Sequence, residues 1–104
     1  MIRVSVIYNK TDSSTFDYDY YVNTHMPLAG KHLHPLRMEV DKIVGTPDGS
    51  PSPIHCVCYF YFNRVEDFQQ AMTTGAAPIM ADIPNYYKGG APTILISEVQ
   101  EIPT

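Results

Sequence analysis

The chain has 104 residues, with seven basic and eleven acidic side chains and a formal net charge of −4. That length fits one domain, expected over residues 1–104, and the mix of 44% apolar with 17% charged residues argues against disorder. The charge balance leaves no surplus of Lys and Arg for sequence-independent nucleic-acid binding. No apolar run approaches the ~18–20 residues of a membrane span.

Residues Ile2 to Tyr8 put Ile2, Val4, Val6 and Tyr8 on one face and Arg3, Ser5 and Ile7 on the other, the period of a β-strand. This opening alternates and does not resemble a signal peptide, so the expected location is the cytoplasm. A polar connection, Asn9 to Ser14, follows. Asp17 is placed to cap a helix, with Phe16 and Tyr21 spaced as a hydrophobic staple across the cap. Pro27 disfavours helical geometry at Met26, so this helix should end near Thr24 or His25, with Pro27 opening a second short piece.

Leu36 to Val44 alternates again, and Gly45 to Pro53 is a loop with three prolines and two glycines. Ile54 to Phe62 is the strongest strand. It sets His55, Val57, Tyr59 and Tyr61 against Ile54, Cys56, Cys58, Phe60 and Phe62. Cys56 and Cys58 therefore share a face ~6.6 Å apart. That geometry suits a disulfide poorly, and both read as reduced, buried small hydrophobes.

Asn63 and Glu66 have the spacing of a capping box, and Val65, Phe68, Met72 and Ala76 continue as a helical stripe. Gly75 reads as its stop, with a further turn from Pro78 to Pro84. Asn85 to Ala91 reads as a loop and Pro92 to Val99 as the last strand.

The order β-α-β-β-α-β predicts an α+β, ferredoxin-like fold with a four-stranded antiparallel sheet and both helices on one face. Ile54–Phe62 is polar on neither side, and the first and last strands carry apolar residues on both. A one-sided sheet should alternate cleanly, so the second face needs a cover. With no spare element in the chain, a second copy is the simplest one.

His25 would lie at the carboxyl end of a tyrosine-rich helix. The helix dipole there favours imidazolium while burial favours the neutral ring, a balance suited to acid–base work. The bland alternative is a histidine that merely caps helix carbonyls. His32 and His34 lack a third ligand at supporting spacing, so no metal is expected. His55 reads as filling or lining the interior. Asp82 reads as a turn-forming carboxylate before Ile83-Pro84-Asn85, with a functional role as the alternative. No phosphate loop, nucleophile elbow or zinc-type cysteine pair is present, so no nucleotide cofactor is expected either.

The pattern Phe16-x-x-x-Tyr20-Tyr21-x-x-x-His25-x-Pro27 resembles the signature helix of the EthD family, named for ethyl tert-butyl ether degradation. Tyr59-Phe60-Tyr61-Phe62 leading through Val65 to Phe68, and Ile79 to Tyr86 followed by Ile96 to Val99, resemble its further blocks. The resemblance implies a dimeric α+β barrel, a homodimer whose two sheets face each other. By position it implies His25 as the acid–base residue. Tyr20 and Tyr21 carry over as its neighbours, one packing and one lining, and Asp82, Asn85 and Tyr86 as rim or wall. The expected ligand is a small apolar, aromatic or oxygenated molecule in an aromatic pocket. The expected chemistry is cofactor-free cyclisation, isomerisation or dehydration. The alternative is a non-catalytic dimeric carrier or accessory protein for an oxidase.

Overall fold

A computed structural model describes residues 1–104. Four strands form an antiparallel sheet in the order β3-β4-β1-β6: β1 (Ile2–Asn9), β3 (Arg37–Lys42), β4 (Ile54–Phe62) and β6 (Thr93–Glu98). The expected alternation is realised in β1, where Ile2, Val4, Val6 and Tyr8 are buried and the residues between them are half-buried. Val4 pairs with Phe60 of β4 and Ile96 of β6, and Val6 with Cys58 and Ile94. One face of the sheet is thereby a continuous apolar surface under the helices. Cys56 and Cys58 lie on it as free, buried thiols, and burial pushes both up to about 12.

The first helical segment is continuous where a break was expected. Asp17 caps α1 (Tyr18–Tyr20) by accepting the Tyr20 N–H at 3.1 Å, and the Phe16 and Tyr21 rings meet at 5.1 Å. The chain then passes through a π-helical stretch, Tyr21–His25, directly into α2 (Met26–Leu33). In the wider π turn the Met26 N–H reaches the Tyr21 carbonyl. Pro27 therefore falls in the first turn of α2, where a missing N–H costs little.

The second helix also corrects the sequence reading. α3 (Val65–Asp82) runs through both Gly75 and Pro78. Gly75 is no stop but a contact point: a Cβ there would lie 2.9 Å from the His32 carbonyl oxygen of α2. The bare backbone lets the two helices approach closely. The Asn63–Glu66 capping box does not form. Arg64 is the N-cap residue, and its guanidinium binds Asp67 at 3.0 Å instead.

The stretch after α3 is more ordered than a loop. A 3-10 turn (Ile83–Asn85) leads into β5 (Tyr87–Lys88), which pairs with β2 (Thr15–Phe16). With the Asp17 N–H donating to the Tyr86 carbonyl at 2.8 Å, this clasp ties the start of α1 to the end of α3.

The opposite sheet face is more polar than β4 alone suggests, because β1 and β3 contribute charged neighbours. The Tyr59 hydroxyl donates to Asp41 at 2.8 Å and Tyr61 to Glu39 at 2.6 Å. Arg3 and Arg37 lie over the rings of Tyr59 and Tyr61. Val57 and Tyr61 are nonetheless buried within this one chain.

Candidate functional site

Where the π turn meets the end of α3, four residues that carry a proton or a hydrogen bond converge. The π-helical stretch turns His25 inward, so that only 3% of it is exposed, and stacks it on Tyr21 at 5.4 Å. The last residue of α3, Asp82, places Oδ2 2.9 Å from His25 Nδ1. The other carboxylate oxygen accepts the Tyr20 hydroxyl at 2.7 Å and the Asn85 amide at 2.9 Å. Asp82 thus holds the turn and faces the histidine at once.

Burial works to raise the Asp82 carboxyl, but the bonds from Tyr20, Asn85 and His25 prevail and hold it below its usual value. Burial pushes His25 below 6.5, opposed by the Asp82 charge. The pair near neutrality is therefore a carboxylate beside a neutral imidazole whose Nδ1–H donates to Asp82. That fixes Nε2 as the acceptor.

Nε2 is also engaged. The Tyr86 hydroxyl lies 3.1 Å from it and 2.7 Å from the Tyr8 hydroxyl. With Nε2 accepting, Tyr86 donates to His25 and Tyr8 donates to Tyr86. Burial raises both phenols well above the ordinary range. Around them Tyr8, Phe16, Tyr21, Tyr86 and Tyr87 pack as an aromatic cluster, with centroid separations such as 5.2 Å for Tyr8–Phe16 and 4.9 Å for Tyr21–Tyr86.

His25 and Tyr8 line a narrow apolar cleft between the sheet and α3, with about 40 Å³ of accessible space. Val6, Phe60, Phe68, Met72 and Ile79 form its walls, and Met80 and Ile94, both substantially exposed, stand at its margin. A separate, open polar groove of about 570 Å³ is lined in part by Asp17, Lys42, Asn85, Tyr86 and Lys88.

Of the residues expected at the site, His25, Asp82, Tyr20, Asn85 and Tyr86 are brought into one bonded group. Tyr21 packs beside them, fully buried, and its hydroxyl makes no hydrogen bond. Neither Tyr20 nor Tyr21 lines the apolar cleft. Tyr8 was not singled out by the sequence reading. Its only signal is a hydroxyl at the end of an otherwise aliphatic strand face. His55 pairs instead with Ser14 at 2.8 Å and stacks on Phe16. No three His, Cys, Asp or Glu side chains stand together as a metal would require.

The EthD domain model matches residues 10–90, which span the π-helical stretch, Asp82 and Tyr86. The chain belongs to the EthD family. It is 35% identical to an EthD-like protein from Ralstonia eutropha JMP134, over 93% of this chain and 89% of that one, with a TM-score of 0.84. An ethyl tert-butyl ether degradation (EthD) family protein from Bacillus halodurans C-125 is 30% identical over 96% of this chain and 99% of its own, with a TM-score of 0.76. An uncharacterised 11.0 kDa protein from the thcB–thcC intergenic region of Rhodococcus erythropolis is 27% identical over 99% of this chain and 100% of its own. The compact α+β fold with its four-stranded antiparallel sheet is that of the EthD-like structures.

Proposed function

We propose that this EthD-family protein takes a small apolar or oxygenated organic molecule into the cleft beside His25, whose space of about 40 Å³ must widen to admit it, and exchanges a proton with it, without metal or nucleotide. The reaction class is cyclisation, isomerisation or dehydration. The observation that carries this reading is a buried, neutral imidazole oriented by an ionised carboxylate at the wall of an apolar cleft. A base held near neutrality and shielded from water suits proton abstraction next to an oxygen function.

The test is deuterium incorporation from D2O into a panel of cyclic ketones and phenols, followed by NMR. Wild-type protein is expected to accelerate exchange of at least one probe, and His25→Ala to bind that probe without accelerating it. Equal acceleration by both proteins would overturn the reading. One feature favours the alternative of a non-catalytic carrier: both nitrogens of His25 are already bonded within the protein. Binding of probes by wild type and His25→Ala alike, with exchange by neither, is the result that supports it.

The working form proposed is a homodimer with the outer sheet faces opposed. The single chain's accessible surface of 6663 Å² exceeds the ~5,900 Å² expected for a compact monomer of this mass, and the chain is flat, 41 × 37 × 20 Å. The outer face carries two arginines and two carboxylates around Tyr59 and Tyr61, a self-complementary set of charges, and leaves Arg3 Nε shielded without an acceptor. A monomeric mass by light scattering at micromolar concentration would sink this proposal.

A further inference from the structure

His25 has no nitrogen free to meet a ligand. Nδ1 is held by Asp82 and Nε2 by Tyr86, so the ring presents only its carbon edge to the cleft. Tyr86 does not line the cleft, but Tyr8 does, and its hydroxyl is bonded to that of Tyr86. A single bonded chain therefore runs from the Tyr20 and Asn85 side, through Asp82, His25 and Tyr86, and ends at Tyr8, whose side chain lines the cleft.

We propose that Tyr8 is the group that meets the ligand, and that it relays the ligand's proton through Tyr86 to His25. The proposal rests on the reading of His25 as the base and deepens it. It also names the ligand class: a phenol or an enolisable carbonyl compound, apolar apart from the acidic group placed at Tyr8.

In the step, the ligand's O–H or C–H bond breaks and its proton joins the Tyr8 oxygen. The proton of Tyr8 passes to the Tyr86 oxygen, and that of Tyr86 passes to Nε2 of His25. The ligand keeps the bonding electron pair as a phenolate or enolate, which Tyr8 now stabilises by donating its new O–H. The positive charge rests on an imidazolium 2.9 Å from the Asp82 carboxylate. Because the three transfers are concerted, neither tyrosine stands as a buried phenolate, whose desolvation would be costly. The reverse sequence returns a proton to the ligand. The resting polarity of the chain, Tyr8 to Tyr86 to His25, is the one this direction of transfer requires.

The test uses para-nitrophenol, whose anion alone absorbs in the visible, with 15N NMR of the histidines as a second readout. Wild-type protein below the probe's ordinary ionisation range is expected to bind it as the anion while His25 becomes imidazolium. Tyr8→Phe and Tyr86→Phe are each expected to lose the visible band and to leave His25 neutral with the probe bound. Thermal unfolding confirms that each variant is folded, and Tyr86→Phe breaks the chain independently should Tyr8→Phe fail to fold. If both phenylalanine variants still ionise the probe and protonate His25, the relay is wrong and the base survives. If His25→Gln still ionises it, the base and the relay fall together. No binding of the probe by wild-type protein removes the cleft as a ligand site and the relay with it.

Discussion

The imidazole of His25 and the carboxylate of Asp82, 57 residues apart in sequence, lie 2.9 Å from each other. The π turn aims one and the end of α3 supplies the other. Replacing Asp82 by Asn keeps an acceptor for Nδ1–H but removes the charge that favours imidazolium. The His25 pKa, already below 6.5, is expected to fall further, with the tautomer retained. An NMR titration of the histidines checks this. An unchanged or raised value would show that Asp82 does not govern the ring.

The same pair sets a pH dependence of stability. A histidine whose folded value is depressed contributes fully above its unfolded value of 6.5, and that contribution is lost as pH falls through the lower folded value. Asp82, also depressed, contributes above 3.8 and loses its share on further acidification. The His25 contribution to Tm should therefore be level above neutrality and decline below 6.5. His25→Phe, which cannot take up a proton, should remove the His25 share of that first decline in scans from pH 8 to pH 5, leaving the share of His55, which burial also lowers. A wild-type Tm that rises on acidification across this window would contradict the assignment.

Much of the fold was legible because burial imposes periodicity. Ile2, Val4, Val6 and Tyr8 alternate, and Ile54–Phe62 matches the observed strand from end to end. The two helical stops failed for a shared reason: Pro27 and Gly75 are local signals whose meaning depends on packing. Pro27 is tolerated because a π turn precedes it, and Gly75 serves an α2–α3 contact. The β2–β5 clasp was invisible because two-residue strands carry no period. At the candidate site, the sequence marks His25 by its place before a proline and at the end of a tyrosine-rich helix. Its arrangement with Asp82 and Tyr86 is tertiary, and Tyr8 was hidden inside a strand pattern it satisfied.

Gly75→Ala tests the helix contact. Alanine would gain about 1 kcal/mol of helix propensity in an open site. Here the new methyl would lie 2.9 Å from the His32 carbonyl oxygen and 3.2 Å from its Cβ, and a backbone atom cannot swing aside. Overpacking of this kind costs about 1–3 kcal/mol, so net destabilisation with the fold retained is expected. Urea unfolding measures it, and a more stable variant would mean that α2 and α3 can separate freely.

Tyr21→Phe separates packing from chemistry. The Tyr21 ring is wholly buried among Tyr8, Phe16 and Tyr86, but its hydroxyl has no hydrogen-bond partner. An unsatisfied buried hydroxyl costs about 1–3 kcal/mol, so removing it while keeping the ring should be neutral or stabilising. Tyr8→Phe deletes a hydroxyl bonded to that of Tyr86 at 2.7 Å and should destabilise by about 1 kcal/mol, and Tyr86→Phe, which leaves both the Tyr8 hydroxyl and His25 Nε2 without a partner, by more, about 1–3 kcal/mol. For a domain of this size about 1 kcal/mol corresponds to a Tm shift of roughly 4–8 °C, here in opposite senses, within easy reach of thermal denaturation. Tyr21→Phe should also bind para-nitrophenol as the anion, as wild type does, because it lies outside the chain from Asp82 to Tyr8. A loss of stability in Tyr21→Phe as large as that in Tyr8→Phe would show that its hydroxyl is paired after all, with the neighbouring Cys58 thiol the first partner to examine.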